Sequence, residues 1–566
     1  MPKIERREAI GGSERWPWPA GMHSVLRQVL ARRPIASPEE LALGLKHLTP
    51  VGGFDALGAG VELLLRHRRG RIVIVGDFDA DGATSSALGF LTLRSLGFAD
   101  VDYFIPDRFE LGYGLTPEVV ERTRGLAPSL IVTVDNGITS VAGVEAARDS
   151  GIDVLITDHH LPPAQLPRAN VIVNPNVRGH GYRDGLGCRH LAGVGVVFYL
   201  LAALGKALGR ANAVLEHIDL VALGTVADLV RLDRSNRILV DQGLRRMRAG
   251  RCRPGLAALA QVAGAALRDV TAATLGYQIG PRLNAAGRLD DMSVGVRCLV
   301  TDDPDEAREL AARLDGLNRE RRQLESRMRG EAVELVDEAE SLEGEALPNV
   351  VCLAHERWHE GLVGLVASRI RERYFRPTFA FAPADGGRLK GSGRSIPGFH
   401  LRDALADVAA EVPGLIERFG GHAMAAGLTL KEGGFEAFRR AIEAVGARRL
   451  DAAAFAETIL TDGEIDCRDM TVEVAALLRD AGPWGQGFPE PCFDGRFELL
   501  RTRILKDAHV KMTLKPAGGA APVEAIAFNR ADEPPEPGAE LTLVYRLDVN
   551  DYFETPRVQL IVDHVE

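Results

Sequence analysis

Cysteine is scarce and scattered in this chain. Six occur in 566 residues, at Cys188, Cys252, Cys298, Cys352, Cys467 and Cys492, and no two form a C-x-x-C pair. That spacing excludes a disulfide framework and a zinc knuckle, and it suits reduced, mostly buried side chains. Long hydrophobic runs are missing as well: nothing approaches the ~18 uninterrupted apolar residues of a membrane span. The first residues, MPKIERREAIGGSERW, are charged and lack the apolar core of a signal peptide. The expectation from these absences is a cytoplasmic protein with no membrane association. Net positive charge is absent too, the formal value being −10. This argues against indiscriminate coating of nucleic acid but leaves room for a nuclease, whose metal site needs carboxylates and whose arginines can cluster locally. Two such clusters, Arg231–Arg253 and Arg313–Arg329, read equally well as solvated helix faces. Internal repeats and low-complexity tracts are absent.

The length exceeds the roughly 250–300 residues at which single cores stop growing, so several domains are expected. Residues 1–50 show no strong pattern; Pro34, Pro38 and Pro50 suggest short helices and turns in a capping segment. From Arg71 onward, short Val- and Ile-rich runs recur at Ile72–Val75, Val101–Ile105, Leu130–Val134, Val154–Thr157 and Val171–Val173. Most are separated by enough chain for a helix. Continuous apolar strands alternating with helices predict a parallel sheet covered on both faces, in an α/β domain over residues 51–300. Residues 190–300 read mainly as helix. Ala307, Leu310, Leu314, Leu317, Leu324, Met328, Leu335 and Val336 then form a stripe at helical spacing, predicting a long connecting helix within residues 301–345. A second α/β domain follows over 346–455, opening with a strand at Val350–Leu353. Alternating runs at Val510–Leu514, Val523–Phe528, Leu541–Tyr545 and Val558–Val562 predict a small β-barrel within 456–566.

In parallel sheets, ligands bind beyond the carboxyl ends of the strands. Here those ends read GDFDAD, PDR, DNG, DHH and NPN. Asp77, Asp79 and Asp81 stand at alternate positions directly after a strand, where they can converge on hard divalent cations in a turn. The D-x-D-x-D-G spacing resembles a calcium loop, but the twelfth position is Leu88 rather than Glu, which disfavours calcium. Asp135-Asn136-Gly137 is weaker, being also an ordinary turn. Asp158-His159-His160 closes the next strand, and two imidazoles after a carboxylate there point to a ligand set. Asp219 in HIDLVALGTVADL, with Asp228 nearby, is a further candidate, although a helix N-cap explains Asp219 as well. Many oxygens with little nitrogen suit manganese or magnesium better than zinc, and the number of ligands suffices for two ions.

These residues resemble the motifs of the DHH phosphoesterase superfamily: GDFDADG, VDNG, DHH and the later Asp219. RWHEGLVGLVASR, KGSGRSIPG and GGHAMAAG resemble its companion DHHA1 domain, and GPRLNAAGRL with GPWGQGFPEP narrows the likeness to the RecJ family. The resemblance covers residues 70–566. It implies a 5′-to-3′ exonuclease specific for single-stranded DNA, working in repair and recombination, with a DHH domain, a DHHA1 domain and a C-terminal OB-fold. It implies Asp79, Asp81, Asp135 and His159 as metal ligands, with Asp135 bridging two Mn2+ or Mg2+ ions, Asp219 completing the second ion and Asp77 ligating or orienting. Catalysis falls to Asp81, Asp135, His159 and His160, with His160 at the scissile phosphate, and no protein nucleophile is required. The implied phosphate and DNA contacts are Arg282, Asn284 and His422 near the cleft, and Ser392 and Arg394 on a Gly-rich loop that, together with Arg108, takes the 5′-terminal phosphate. Single-strand-binding protein and a helicase are the implied partners of a monomer.

Two other readings are weighed against this. A DHH/DHHA1 phosphodiesterase acting on short oligonucleotides or cyclic dinucleotides would be much shorter and would lack the β-rich tail. A catalytically dead scaffold would have lost the acidic ligands, which are present here.

Overall fold

The computed structural model describes residues 2–177, 188–343, 347–519, 521–531, 534–551 and 555–566. The chain forms two compact units, one of Arg6–Asp315 with Leu460–Glu566 and the other of Met1–Glu5 with Gly316–Ile459.

The first unit is built on five parallel strands, β1 (Ile72–Gly76), β2 (Val101–Phe104), β3 (Leu130–Val134), β4 (Asp153–Thr157) and β5 (Val171–Val173). Their order is β2-β1-β3-β4-β5. The segments IVIVG and LIVTV are buried along their whole length, because the central strands are covered on both faces and have no polar side to present. The covering helices include α1 (Ala80–Ser95), α2 (Gly193–Ala207) and α3 (Ile218–Ala227). Helix α3 carries no polar stripe, and Ile218 through Thr225 are all buried. Beyond it come α4 (Arg234–Arg248) and α5 (Gly280–Leu289), and then the long α6 (Pro304–Glu343), which belongs to this unit up to Asp315 and to the second from Gly316.

The second unit holds a mixed sheet of β6 (Val351–Ala354), β7 (Thr378–Pro383), β8 (Leu389–Arg394), β9 (Ile416–Gly421) and β10 (Ala425–Leu430), in the order β9-β10-β8-β7-β6. Only β6 and β7 run parallel. One expectation is corrected here: residues 391–394 are not a loop but the greater part of β8. A Cβ at Gly391 would lie 2.2 Å from the Phe381 ring, and one at Gly393 would lie 2.5 Å from the Phe379 ring. The glycines make room for aromatic rings packed across the sheet, rather than for an approaching ligand.

The C-terminal strands return to the first unit as a closed barrel of β11 (Phe493–Leu505), β12 (His509–Pro516), β13 (Val523–Ala527), β14 (Glu540–Asn550) and β15 (Arg557–Val565). The order β11-β12-β13-β15-β14, closed by β14 on β11 and with β13 parallel to β15, is that of an OB-fold. The segment before residue 50 does more than cap a sheet. Arg33 is fully buried and grips Asp462 through both guanidinium nitrogens, at 2.6 and 2.8 Å. Gln242 on α4 donates to the Leu43 carbonyl at 2.8 Å. Early chain thereby ties the lead-in of the barrel to the helices behind the sheet.

Candidate metal centre

The centre lies at the carboxyl ends of β1, β3 and β4. Chain leaving β1 passes Asp77 and reaches Asp79, the N-cap of α1, whose Oδ1 accepts from the backbone N–H groups of Asp81 and Gly82, each at 3.0 Å. This cap reverses the chain and turns three carboxylates toward one place. Asp81 is buried, and its two oxygens accept from the first N–H groups of α2, Gly193 at 2.6 Å and Val194 at 2.9 Å. A helix N-terminus is a favourable seat for a carboxylate. Asp135 directly follows β3 at φ +61°, a left-handed conformation uncommon outside glycine. Gly193 passes so close that a Cβ would stand 2.6 Å from that of Asp135. Asn136 is fully buried and donates to the carbonyls of Val75 and Val134, joining two strand ends beneath the cluster.

After β4, Asp158 accepts from the backbone N–H groups of Ile138, His159 and His160 and from Nδ1 of His160. Asn176 and Asn174 hold the carbonyls of His159 and His160 at 2.5 and 2.9 Å. The imidazole of His159 is thus presented with Nε2 3.1 Å from Oδ1 of Asp135 and 3.5 Å from Oδ2 of Asp228.

Among the described residues, three overlapping sets have donor atoms within 4.8 Å of one another: Asp77, Asp79 and Asp135; Asp81, His159 and Asp228; and Asp135, His159 and His160. Oδ1 of Asp135 and Oδ2 of Asp228 are buried and accept no hydrogen bond among the described residues. Burial and the neighbouring negative charges push Asp77, Asp135 and Asp228 well above the usual carboxylate range, and Asp81 up to about 7. Asp158 moves the other way: burial opposes its charge, but its bonds to His160 hold its pKa low. His160 in turn is pushed up to about 9, burial being outweighed by Asp158. Buried carboxylates in mutual repulsion, with acceptors left over, are the chemistry of a divalent cation site. The donor set fits two such ions.

Asp219 does not join the cluster. It lies in the first turn of α3, where its Oδ2 accepts from the N–H of Arg253 at 2.9 Å. Asp228 at the other end of α3 stands in the cluster instead. Arg282 is corrected similarly: it is buried, paired with Asp315 at 2.9 Å and bonded to the Gln278 carbonyl. Asn284 faces the metal loop rather than solvent, accepting from the N–H of Ala80 at 2.8 Å. Gly287 lets α5 approach so closely that a Cβ would be 1.7 Å from the Phe78 carbonyl. Arg108 lies 4.5 Å over the Phe78 ring, within range of the charge on Asp77. In the second unit, Ser392 and Arg394 project from β8 on the side away from the Phe rings, and Nη1 of Arg394 donates to Ser392 Oγ at 3.2 Å. His422 is exposed at the turn between β9 and β10. The sequence assigns no role to Asn136, Asn174 and Asn176 and counts Asp158 within a ligand set, whereas Asp158 is occupied in orienting His159 and His160; each of the four sits in a strand-end motif.

Comparison with known proteins agrees with this architecture. Models of the DHH family, N-terminal domain, the DHHA1 domain and the RecJ OB domain match residues 71–225, 347–447 and 461–564. The single-stranded-DNA-specific exonuclease RecJ of Escherichia coli (strain K12) is 47% identical over 577 aligned residues, spanning 100% of this chain and 99% of that protein. The chain belongs to the RecJ family. The RecJ of Thermus thermophilus is 36% identical, over 86% of this chain and 68% of that protein. The solved structure of RecJ in complex with Mn2+ from Thermus thermophilus superposes with a TM-score of 0.80 at 29% identity, covering 100% of this chain and 79% of that one. The Mg2+ complex from the same organism gives 0.75 at 26% identity, covering 100% and 78%. Among the described residues no helix is long and apolar enough to cross a membrane.

Proposed function

We propose that this chain is a metal-dependent exonuclease that degrades single-stranded DNA from its 5′ end to mononucleotides. The carrying observation is the buried to half-buried cluster in which Asp77, Asp79, Asp81, Asp135 and His159 after the strands meet Asp228 from the end of α3, in a member of the RecJ family. Asp77, Asp79 and Asp135 would hold one ion, and Asp81, His159 and Asp228 the other, with Asp135 beside both sets. When bound, Mn2+ or Mg2+ supplies positive charge to the phosphoryl oxygens and acidity to water. The chain's own residues do the rest. Asp158 keeps His160 protonated and fixes its ring through Nδ1, leaving Nε2 to donate to a phosphoryl oxygen. Arg108 adds a cation at the same edge. Asn284 secures the loop that carries Asp79 and Asp81. Water is the nucleophile, so no side chain forms a covalent intermediate.

Ser392 and Arg394 are proposed to take the 5′-terminal phosphate. Burial holds Arg394 below its usual pKa, so an anion would relieve a desolvated charge. The barrel is proposed to bind the strand. A helicase and single-strand-binding protein would make and keep the single strands such an enzyme consumes. A cytoplasmic monomer is proposed, supported by the whole ligand set coming from one chain and by free cysteines.

The test is a digestion of end-labelled single-stranded DNA with Mn2+, with and without a 5′ phosphate. Mononucleotides released from the 5′ end, faster from the phosphorylated strand, are expected. Cleavage confined to dinucleotides would support the short-oligonucleotide alternative instead.

A further inference from the structure

Nothing in this chemistry uses the segment GPWGQGFPEP, residues 482–491, which lies in the same unit as the metal cluster. Gly485 and Phe488 exchange backbone hydrogen bonds of 2.9 and 3.0 Å and close a tight turn. Gly487 has φ +72°, and a Cβ there would stand 2.5 Å from Cγ of Arg231. Both conformation and space exclude a side chain. At the tip, the Gln486 carbonyl accepts from the N–H of Leu232 at 2.7 Å. Behind the turn, the Phe488 ring lies 4.3 Å from the Arg237 guanidinium and stacks on Trp484 at 5.2 Å. Arg33 covers Trp484 at 5.6 Å and donates to the Pro489 carbonyl at 2.9 Å. The turn is therefore anchored from behind while its tip holds residues 229–233.

That stretch starts directly after Asp228. Leu229 is 68% exposed and sits at φ +57°, a conformation that a leucine keeps only where its surroundings impose it. On the far side of the stretch, Asn236 donates to the Arg231 carbonyl at 2.8 Å. We infer that the turn Gly485–Phe488 positions Asp228. By clamping Leu232 and Arg231 it maintains the chain reversal after α3, and so aims Oδ2 of Asp228 at His159. Gly487 and Phe488 are positioning residues that act through Asp228. The inference rests on Asp228 as a metal ligand, and it makes the lead-in of the barrel part of the metal centre.

The test is Mn2+ binding by isothermal titration calorimetry on full-length Gly487→Val, Phe488→Leu, Phe488→Tyr and Asp228→Asn, with melting temperatures in EDTA alongside. Gly487→Val alters an exposed tip and Phe488→Leu a buried ring, so one variant covers for the other if it fails to fold. Both are expected to weaken Mn2+ binding about 10-fold or more, with cleavage recovered at high Mn2+. Phe488→Tyr keeps the ring and is expected to keep the affinity. In an Asp228→Asn background the turn variants should add nothing further. Unchanged Mn2+ affinity in Gly487→Val and Phe488→Leu, or losses that add fully to that of Asp228→Asn, would overturn the inference. Wild-type affinity in Asp228→Asn alone would overturn the ligand reading itself and, with it, the inference.

Discussion

Two aspartates at opposite ends of α3 show how far residue type falls short of residue role. Asp219 and Asp228 both follow apolar or mixed sequence, and both are carboxylates within reach of a strand-end cluster in the linear chain. The structure spends Asp219 on the N–H of Arg253 and leaves Oδ2 of Asp228, facing His159, with no donor among the described residues. Asp228→Asn should therefore lower turnover by about 100-fold or more, since even residues behind a ligand cost about 10–100-fold. Asp219→Ala should leave the Mn2+ dependence alone and cost about 1–3 kcal/mol of stability for the orphaned donor. Steady-state cleavage against Mn2+ concentration and urea unfolding separate the two. The strand-end residues are legible because buried strands announce their own ends. The end of α3 is not, because its sequence is apolar all round and gives no phase by which to aim its last residue.

Elements are legible with similar unevenness. The five parallel strands are visible as apolar runs, and the long α6 as a stripe. The strand β11 escapes such a reading because FDGRFELLRTRIL mixes charges and apolar residues in a half-exposed barrel wall. The strand β8 reads as a loop because glycine is rare in strands, and nothing local reveals that Phe379 and Phe381 lie over it. Gly393→Val should cost about 1–3 kcal/mol by overpacking against Phe379, measured by urea unfolding; a neutral effect would mean the glycine serves some other purpose. The N-terminal segment hides its role altogether, since its key contact lies at Asp462. Arg33→Met removes both of the guanidinium bonds to the buried Asp462 and leaves it only Arg7 at 3.3 Å and the Cys492 N–H, and should destabilise by about 1–3 kcal/mol, read by urea unfolding.

At the scale of the whole molecule, the cluster makes stability depend on pH and metal together. Asp77, Asp135 and Asp228 have raised folded-state pKa values, and Asp81 sits at about 7. For a raised carboxylate the stabilising contribution is complete below the unfolded value, near ~4, and is lost as pH rises through the folded value. Asp158, held low, and His160, held near 9, keep their charges through the intervening window. The melting temperature in EDTA should thus fall between about pH 5 and pH 8, while the increment produced by Mn2+ grows, because the cation replaces protons. A pH-independent increment in a fluorescence melting series would contradict this.

The most direct measurement is anomalous diffraction from crystals of the full chain grown with Mn2+. Two peaks are predicted, one among Asp77, Asp79 and Asp135 and one among Asp81, His159 and Asp228, with none beside Asp219. A peak at Asp219, or a cluster that binds no ion at saturating Mn2+, would contradict the account.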